Sequence, residues 1–148
     1  MERNGATVVQ IRQASLPKSN SEDAAAVFFE ELSAAGADYL HVTEPDATTS
    51  AFGDEGGTLA GAAADYAVDG TAVIDNGGLG DPEAARETLD DGADLITLGT
   101  GALANPDWPA RVEVGEELAE FDPVEFLVPT VEHAAHEVPE ASAASGDD

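Results

Sequence analysis

The sequence predicts an α/β protein whose strands form a parallel sheet, and three observations carry that prediction. Four short, β-branched apolar runs alternate with helix-like segments. The helical segments open on capping residues and close on glycine. A faint internal repeat, Gly36-Ala37-Asp38-Tyr39-Leu40, returns 56 residues later as Gly92-Ala93-Asp94-Leu95-Ile96. That interval equals two strand-plus-helix units of about 28 residues each, the spacing of βα repeats joined by right-handed crossovers.

The elements follow in order. Ala6 to Arg12 is compact and β-branched and is expected to be a buried strand. Ser19 and Glu22 have capping-box spacing, and Ala25, Phe28, Phe29, Leu32 and Ala35 then share one helical face. Gly36 is placed to end that helix as a C′ residue. Asp38 to Thr43 is the second strand. Thr58 to Val68 is an Ala-rich second helix with Leu59, Ala62, Ala63 and Tyr66 inward and Gly70 beyond its end. Thr71 to Asp75 is the third strand. Asp81 caps a third helix with Pro82 at its first position, closing at Gly92. Asp94 to Leu98 is the fourth strand, followed by a short helical stretch near Pro106 to Val112, and from Glu137 onward the chain reads as a frayed tail.

Composition narrows the function. Asp and Glu number 31 against 5 Lys and Arg, a formal charge of −26. Phosphate backbones and anionic membrane surfaces both need clustered basic residues, so nucleic acid and membrane are excluded as direct partners. No apolar run spans a bilayer, and Met1-Glu2-Arg3-Asn4-Gly5 lacks a signal peptide's apolar segment. Cysteine is absent, which removes disulfides and thiol chemistry. Leu, Ile, Val and Phe together stand just above the roughly 20% level below which high charge signals disorder. Their grouping into strands and helical faces favours a folded domain. Carboxylates spread along the whole chain suit a cytoplasm of concentrated salt, where the Debye length falls to about 3 Å and self-repulsion is screened.

In parallel βα arrays, ligands gather beyond the carboxyl ends of the strands. Two of those ends are glycine-rich: Asn76-Gly77-Gly78-Leu79-Gly80 after the third strand and Gly99-Thr100-Gly101 after the fourth. Such loops let backbone N–H groups approach an anion, and a barrel-type phosphate site uses two of them side by side. Tight turning alone would account for either loop singly. Arg12, a scarce cation at a strand's ligand end, is a candidate to hold a phosphate or a polarised ring carbonyl. His41, between Leu40 and Val42, reads as a hydrogen-bonded structural histidine, and Glu44 and Asp46 beside Pro45 read as loop residues. His133 and His136, three residues apart, lack further ligands at set spacing and read as a surface helix rather than a metal site. No Ser-His-Asp grouping, P-loop or dinucleotide fingerprint is present.

The segments VVQIRQAS, GADYLHVTEPDA, AVIDNGGLGDPEAA and DLITLGTGALANPDWPARVEVGEELAEFDP resemble the C-terminal half of the Old Yellow Enzyme family, the FMN-dependent NAD(P)H:flavin oxidoreductases and ene-reductases. The most specific is the strand, Gly, then Ala-Asn-Pro-Asp element, and the resemblance runs from about residue 6 to residue 137. It implies a (βα)₄ half of a (β/α)₈ TIM barrel, strands five to eight, over residues 1–137, with 138–148 a disordered acidic tail. It implies FMN as cofactor and NAD(P)H as reductant of the complete enzyme. Arg12 falls on the arginine that contacts the flavin ring, Gly77 and Gly78 on the loop whose backbone binds the FMN phosphate, and Gly99 on the matching glycine after strand eight. Thr100 stands where the family usually has a basic residue, leaving a hydroxyl in place of a charge.

Nothing matches the family's N-terminal half, which carries the substrate-holding His pair or His/Asn pair and the proton-donating Tyr. Tyr39 and Tyr66 align with a strand and a helix instead. No catalytic residue is therefore assigned. A half-barrel presents two open strand edges and an uncovered inner face, so a second copy of the chain or a separately encoded N-terminal half is expected to complete it. Three readings stand at this level: the phosphate-binding half of a flavin oxidoreductase, a non-catalytic phosphate- or FMN-binding module, and a truncated inactive remnant.

Overall fold

In a computed structural model, residues 5–16, 21–53 and 56–127 are described. The elements run β1 (Val8–Arg12), α1 (Glu22–Ala34), β2 (Tyr39–Thr43), α2 (Leu59–Tyr66), β3 (Ala72–Asn76), α3 (Pro82–Asp90), β4 (Leu95–Ile96), α4 (Thr100–Ala104), α5 (Trp108–Val114) and α6 (Pro123–Leu127). A 3-10 turn, Gln13–Ser15, follows β1. The strands form one sheet in the order β1-β2-β3-β4, all parallel. The α/β class and the strand-helix alternation therefore stand as the sequence implied, and they fit a fragment of a TIM barrel.

Period-two alternation sorts the strand residues into two faces. Ile11, Leu40, Val42 and Val73 are buried with Phe29 of α1 and Leu59, Ala60, Ala62 and Ala63 of α2, forming the core between sheet and helices. The opposite face places Gln10, His41 and Ile74 in one cross-strand row and Arg12, Thr43 and Asn76 in the next. Its residues on β2 and β3 are only half-buried.

The caps explain the boundaries. Ser21 caps α1 by accepting from the Ala24 amide, and Thr58 caps α2 by accepting from that of Gly61. Ser19, the expected capping residue, lies outside the described residues. Gly36 and Gly92 take φ of 99° and 126° and close α1 and α3 with the same pair of bonds. The amides of Gly36 and Ala37 donate to Ser33 and Leu32, and those of Gly92 and Ala93 to Leu89 and Thr88. The next residue repeats the pattern. Asp38 accepts from the Thr7 amide at 2.7 Å and Asp94 from the Val73 amide at 2.8 Å, so each carboxylate ties down the start of the preceding strand. The Gly-Ala-Asp repeat is thus a helix stop, a core alanine and a strand clasp.

Two expectations need correction. The first strand is not buried: Val8 is 53% exposed, Gln10 and Arg12 are exposed, and only Ile11 is enclosed. β1 is an edge strand with one bare face, which an apolar composition cannot reveal. The fourth strand shrinks to Leu95–Ile96, the other edge, with Leu95 49% exposed. The helical stretch expected near Pro106–Val112 is α5, and α4 and α6 were not anticipated. The segment 138–148 and both His133 and His136 lie outside the described residues.

Candidate functional site

The carboxyl ends of β3 and β4 open onto a cavity of about 720 Å³. Asn76, Gly77, Gly78, Leu79 and Gly80 line one side, and Thr97, Gly99, Thr100 and Gly101 line another. The two loops touch: a methyl group on Gly101 would lie 2.9 Å from the Cα of Gly80. Glycine at 101 allows that approach, whereas a methyl group on Gly80 would meet Gly101 at an ordinary 3.5 Å. Gly77 sits closer still to the end of β2, where a methyl group would lie 2.4 Å from the Glu44 carbonyl oxygen. Gly78 takes φ of 69°, which turns the chain toward α3.

Backbone donors in the two loops are unspent among the described residues. The amides of Gly77, Gly78, Leu79 and Gly80, and those of Gly99, Thr100 and Gly101, donate to no acceptor among the described residues. The α3 amides beyond them are taken, since Asp81 accepts from Glu83 and Ala84. Seven free N–H groups from two adjoining loops suit an acceptor-rich anion such as a phosphate group.

The scaffold around the loops comes from the segment that follows. Asn105 is buried and donates to the carbonyls of Gly101 and Ala119, while its own oxygen accepts from the Ala119 amide at 2.8 Å. It thereby holds the Leu118–Phe121 stretch against the cavity, which that stretch lines. Trp108 donates from Nε1 to the Gly80 carbonyl at 2.8 Å. The Ala-Asn-Pro-Asp run and the tryptophan after it therefore brace both glycine loops. Sequence reading noticed this run only as a resemblance, because its role depends on side chains reaching main-chain groups far along the chain.

Electrostatics bring a surprise that sequence reading missed. Glu44, expected to be a loop residue, is only 6% exposed and lines the cavity, and neither carboxylate oxygen has a hydrogen-bond partner among the described residues. Asp75 of β3 is completely buried; its Oδ1 accepts from the Asn76 amide while Oδ2 is unpartnered. Burial, followed by the fields of Asp75 and Asp46, pushes the Glu44 carboxyl up to about 8. Burial pushes Asp75 up to about 6, opposed by the Asn76 amide. The signal available in the sequence was Asp75 itself, a carboxylate at an inward position of a strand otherwise apolar on that face.

The structure brings Gly77, Gly78, Gly99 and Thr100 to one cavity, and Arg12 stands apart from it. Arg12 ends β1 on the helix-free face, in the cross-strand row of Thr43 and Asn76. His41 lies one row below with its Nε2 3.3 Å from the Thr97 hydroxyl, a structural hydrogen bond of the kind expected. Among the described residues there is no group of three or more metal-binding side chains, and no helix is long and apolar enough to cross a membrane.

No family model matches the chain. It is 36% identical over 104 residues to a 12-oxophytodienoate reductase-like protein of Solanum lycopersicum, a match covering 70% of this chain and 27% of that protein. It is 40% identical over 88 residues to a phosphoribosyl imidazole-4-carboxamide isomerase of Acidothermus cellulolyticus, covering 58% of this chain and 35% of that enzyme. The solved structure of morphinone reductase in complex with tetrahydroNAD aligns with a TM-score of 0.59 at 28% identity, covering 80% of this chain and 31% of the reductase. The chain thus spans about a third or less of the length of these relatives. The reductase-like relative and the structural neighbour are Old Yellow Enzyme family proteins, the family that the quoted segments resemble.

Proposed function

We propose that this chain is the C-terminal, FMN-phosphate-binding half of a flavin oxidoreductase of the ene-reductase type, using FMN with NAD(P)H as reductant. One observation carries the reading: two touching glycine loops at adjacent strand ends line one cavity, and seven of their amides have no acceptor among the described residues. Gly77, Gly78 and Gly99 offer backbone donors to the phosphate oxygens, and Thr100 offers a hydroxyl and an amide. FMN, when bound, supplies the hydride-accepting ring. Arg12, at the carboxyl end of β1 in the row of Thr43, would hold the ring's polar edge with its guanidinium donors. This chain's contribution is orientation and charge, and no proton-transfer residue is assigned to it.

The bare face and exposed edges support a partner. Val8 and Leu95 sit on the two outer strands with about half their surface open. A second copy, or a separately encoded N-terminal half, would cover them and close the barrel over residues 1–137. A cytoplasm of high salt suits the charge of −26.

Similarity to the isomerase favours a second reading, a non-catalytic module holding another phosphorylated ligand in the same cavity. Titration of the full chain with FMN, riboflavin and ribose 5-phosphate separates the two. Quenching of FMN fluorescence without a response to riboflavin supports the flavin reading. Binding of ribose 5-phosphate, read from the amide shifts of Gly77 and Gly99, with no flavin response supports the module. Silence from all three leaves an inactive remnant.

A further inference from the structure

We propose that Glu44 must keep its carboxyl proton for the cavity to hold its anionic ligand. The inference rests on the reading of the cavity as an anion site and adds a proton requirement to its backbone donors.

The cavity holds a contradiction that this resolves. Its amides call for an anion, yet among the described residues no Lys, Arg or His lines it and four acidic side chains do: Glu44, Asp81, Glu116 and Glu120. Asp81, Glu116 and Glu120 are exposed, so water screens them. Asp81 is also engaged at the start of α3. Glu44 differs. It is 94% enclosed, its two oxygens are unpartnered, and Asp75 on the neighbouring strand and Asp46 on the same loop add negative field. An ionised Glu44 would set an unscreened charge against the ligand. A neutral Glu44, its two oxygens enclosed behind the cavity wall, removes that charge. His41, on the opposite side of β2 from Glu44, meets the Thr97 hydroxyl and is not part of the cavity lining.

Anion and proton therefore bind together, each raising the other's affinity by the same factor. Burial and the two aspartates place the Glu44 ionisation at about 8. Anion affinity is then level through neutral pH and about tenfold weaker at pH 9 than at pH 7.

The test uses sulfate, which stays a dianion across this range, added to the full chain at pH 6 to 9. Its binding is read from the amide chemical shifts of Gly77, Gly78, Gly99 and Gly101. The Glu44 side-chain carboxyl shift, followed in the unaltered protein, must titrate at higher pH when sulfate is saturating; an unchanged or lower midpoint overturns the proposal. Glu44→Gln should bind sulfate with no fall between pH 7 and 9, and Asp75→Asn should move the fall to lower pH by removing a repelling neighbour. A wild-type profile retained in Glu44→Gln overturns it, as does sulfate binding that requires added Mg²⁺, which would assign Glu44 to a bridging cation. Sulfate binding that follows this profile while FMN fails to bind sinks the flavin reading alone. FMN and sulfate binding that is flat with pH sinks this inference alone.

Discussion

Replacing Gly77 with alanine tests how tightly the end of β2 packs against the β3 loop. The added carbon would stand 2.4 Å from the Glu44 carbonyl oxygen and 3.1 Å from both the Glu44 carbonyl carbon and the Ala47 amide nitrogen. All three are backbone atoms, so no rotamer change relieves them. They are also tied in place, since Ala47 donates to the Gly77 carbonyl and Glu44 to that of Asn76, each at 3.0 Å. Overpacking of this kind costs about 1–3 kcal/mol, and parting the Ala47 bond adds about 1 kcal/mol, giving roughly 2–4 kcal/mol. For a chain of this size that lowers the melting temperature by roughly 4–16 °C. Gly78→Ala is the control: its φ of 69° is unfavourable for alanine, but its nearest contact is an ordinary 3.7 Å. It should lose only about 1 kcal/mol. Thermal and urea unfolding of the full chain reads both. A Gly77→Ala variant no less stable than Gly78→Ala would refute the packing described.

Three further outcomes are expected. Stability should decline as pH rises from about 4 to 8, because the folded state holds protons on Asp75 and Glu44 that the unfolded chain releases near 3.8 and 4.5. Their stabilising effect is complete below the unfolded values and is lost through about 6 for Asp75 and about 8 for Glu44, on the order of 1.4 kcal/mol per pH unit per group. Urea midpoints from pH 5 to 9 check this, and Glu44→Gln should flatten the upper part of the curve. Asn105→Ala strands the Gly101 and Ala119 groups it now satisfies. It should cost about 1–3 kcal/mol and speed hydrogen exchange at the Ala119 amide. Thr100→Arg adds a charge at an exposed position on the cavity wall. It should tighten FMN about tenfold to a hundredfold, read by flavin fluorescence.

Much of the fold was legible because its signals are local. Pro82 after Asp81, Thr58 before an Ala-rich face, and glycines at 36 and 92 mark helix ends through bonds reaching only a few residues. The two glycine loops were legible for the same reason, since both follow apolar strands directly. What escaped depends on distant neighbours. Whether Val8 is covered is decided by what lies beside β1 and on the bare face. Whether Glu44 is a solvated loop residue or an enclosed carboxyl is decided by Gly77 and Asp75, more than thirty positions away. Asn105 and Trp108 act on main-chain atoms that no spacing rule connects to them.

The most direct measurement is an amide chemical-shift map of the full chain with and without FMN at pH 7. If the phosphate tail lies between the two glycine loops, the amides of Gly77 to Gly80 and of Gly99 to Gly101 shift together at one saturating concentration. The Trp108 indole N–H, bonded to Gly80, shifts with them. Shifts confined to a single loop, or to residues away from both, would contradict a shared pocket.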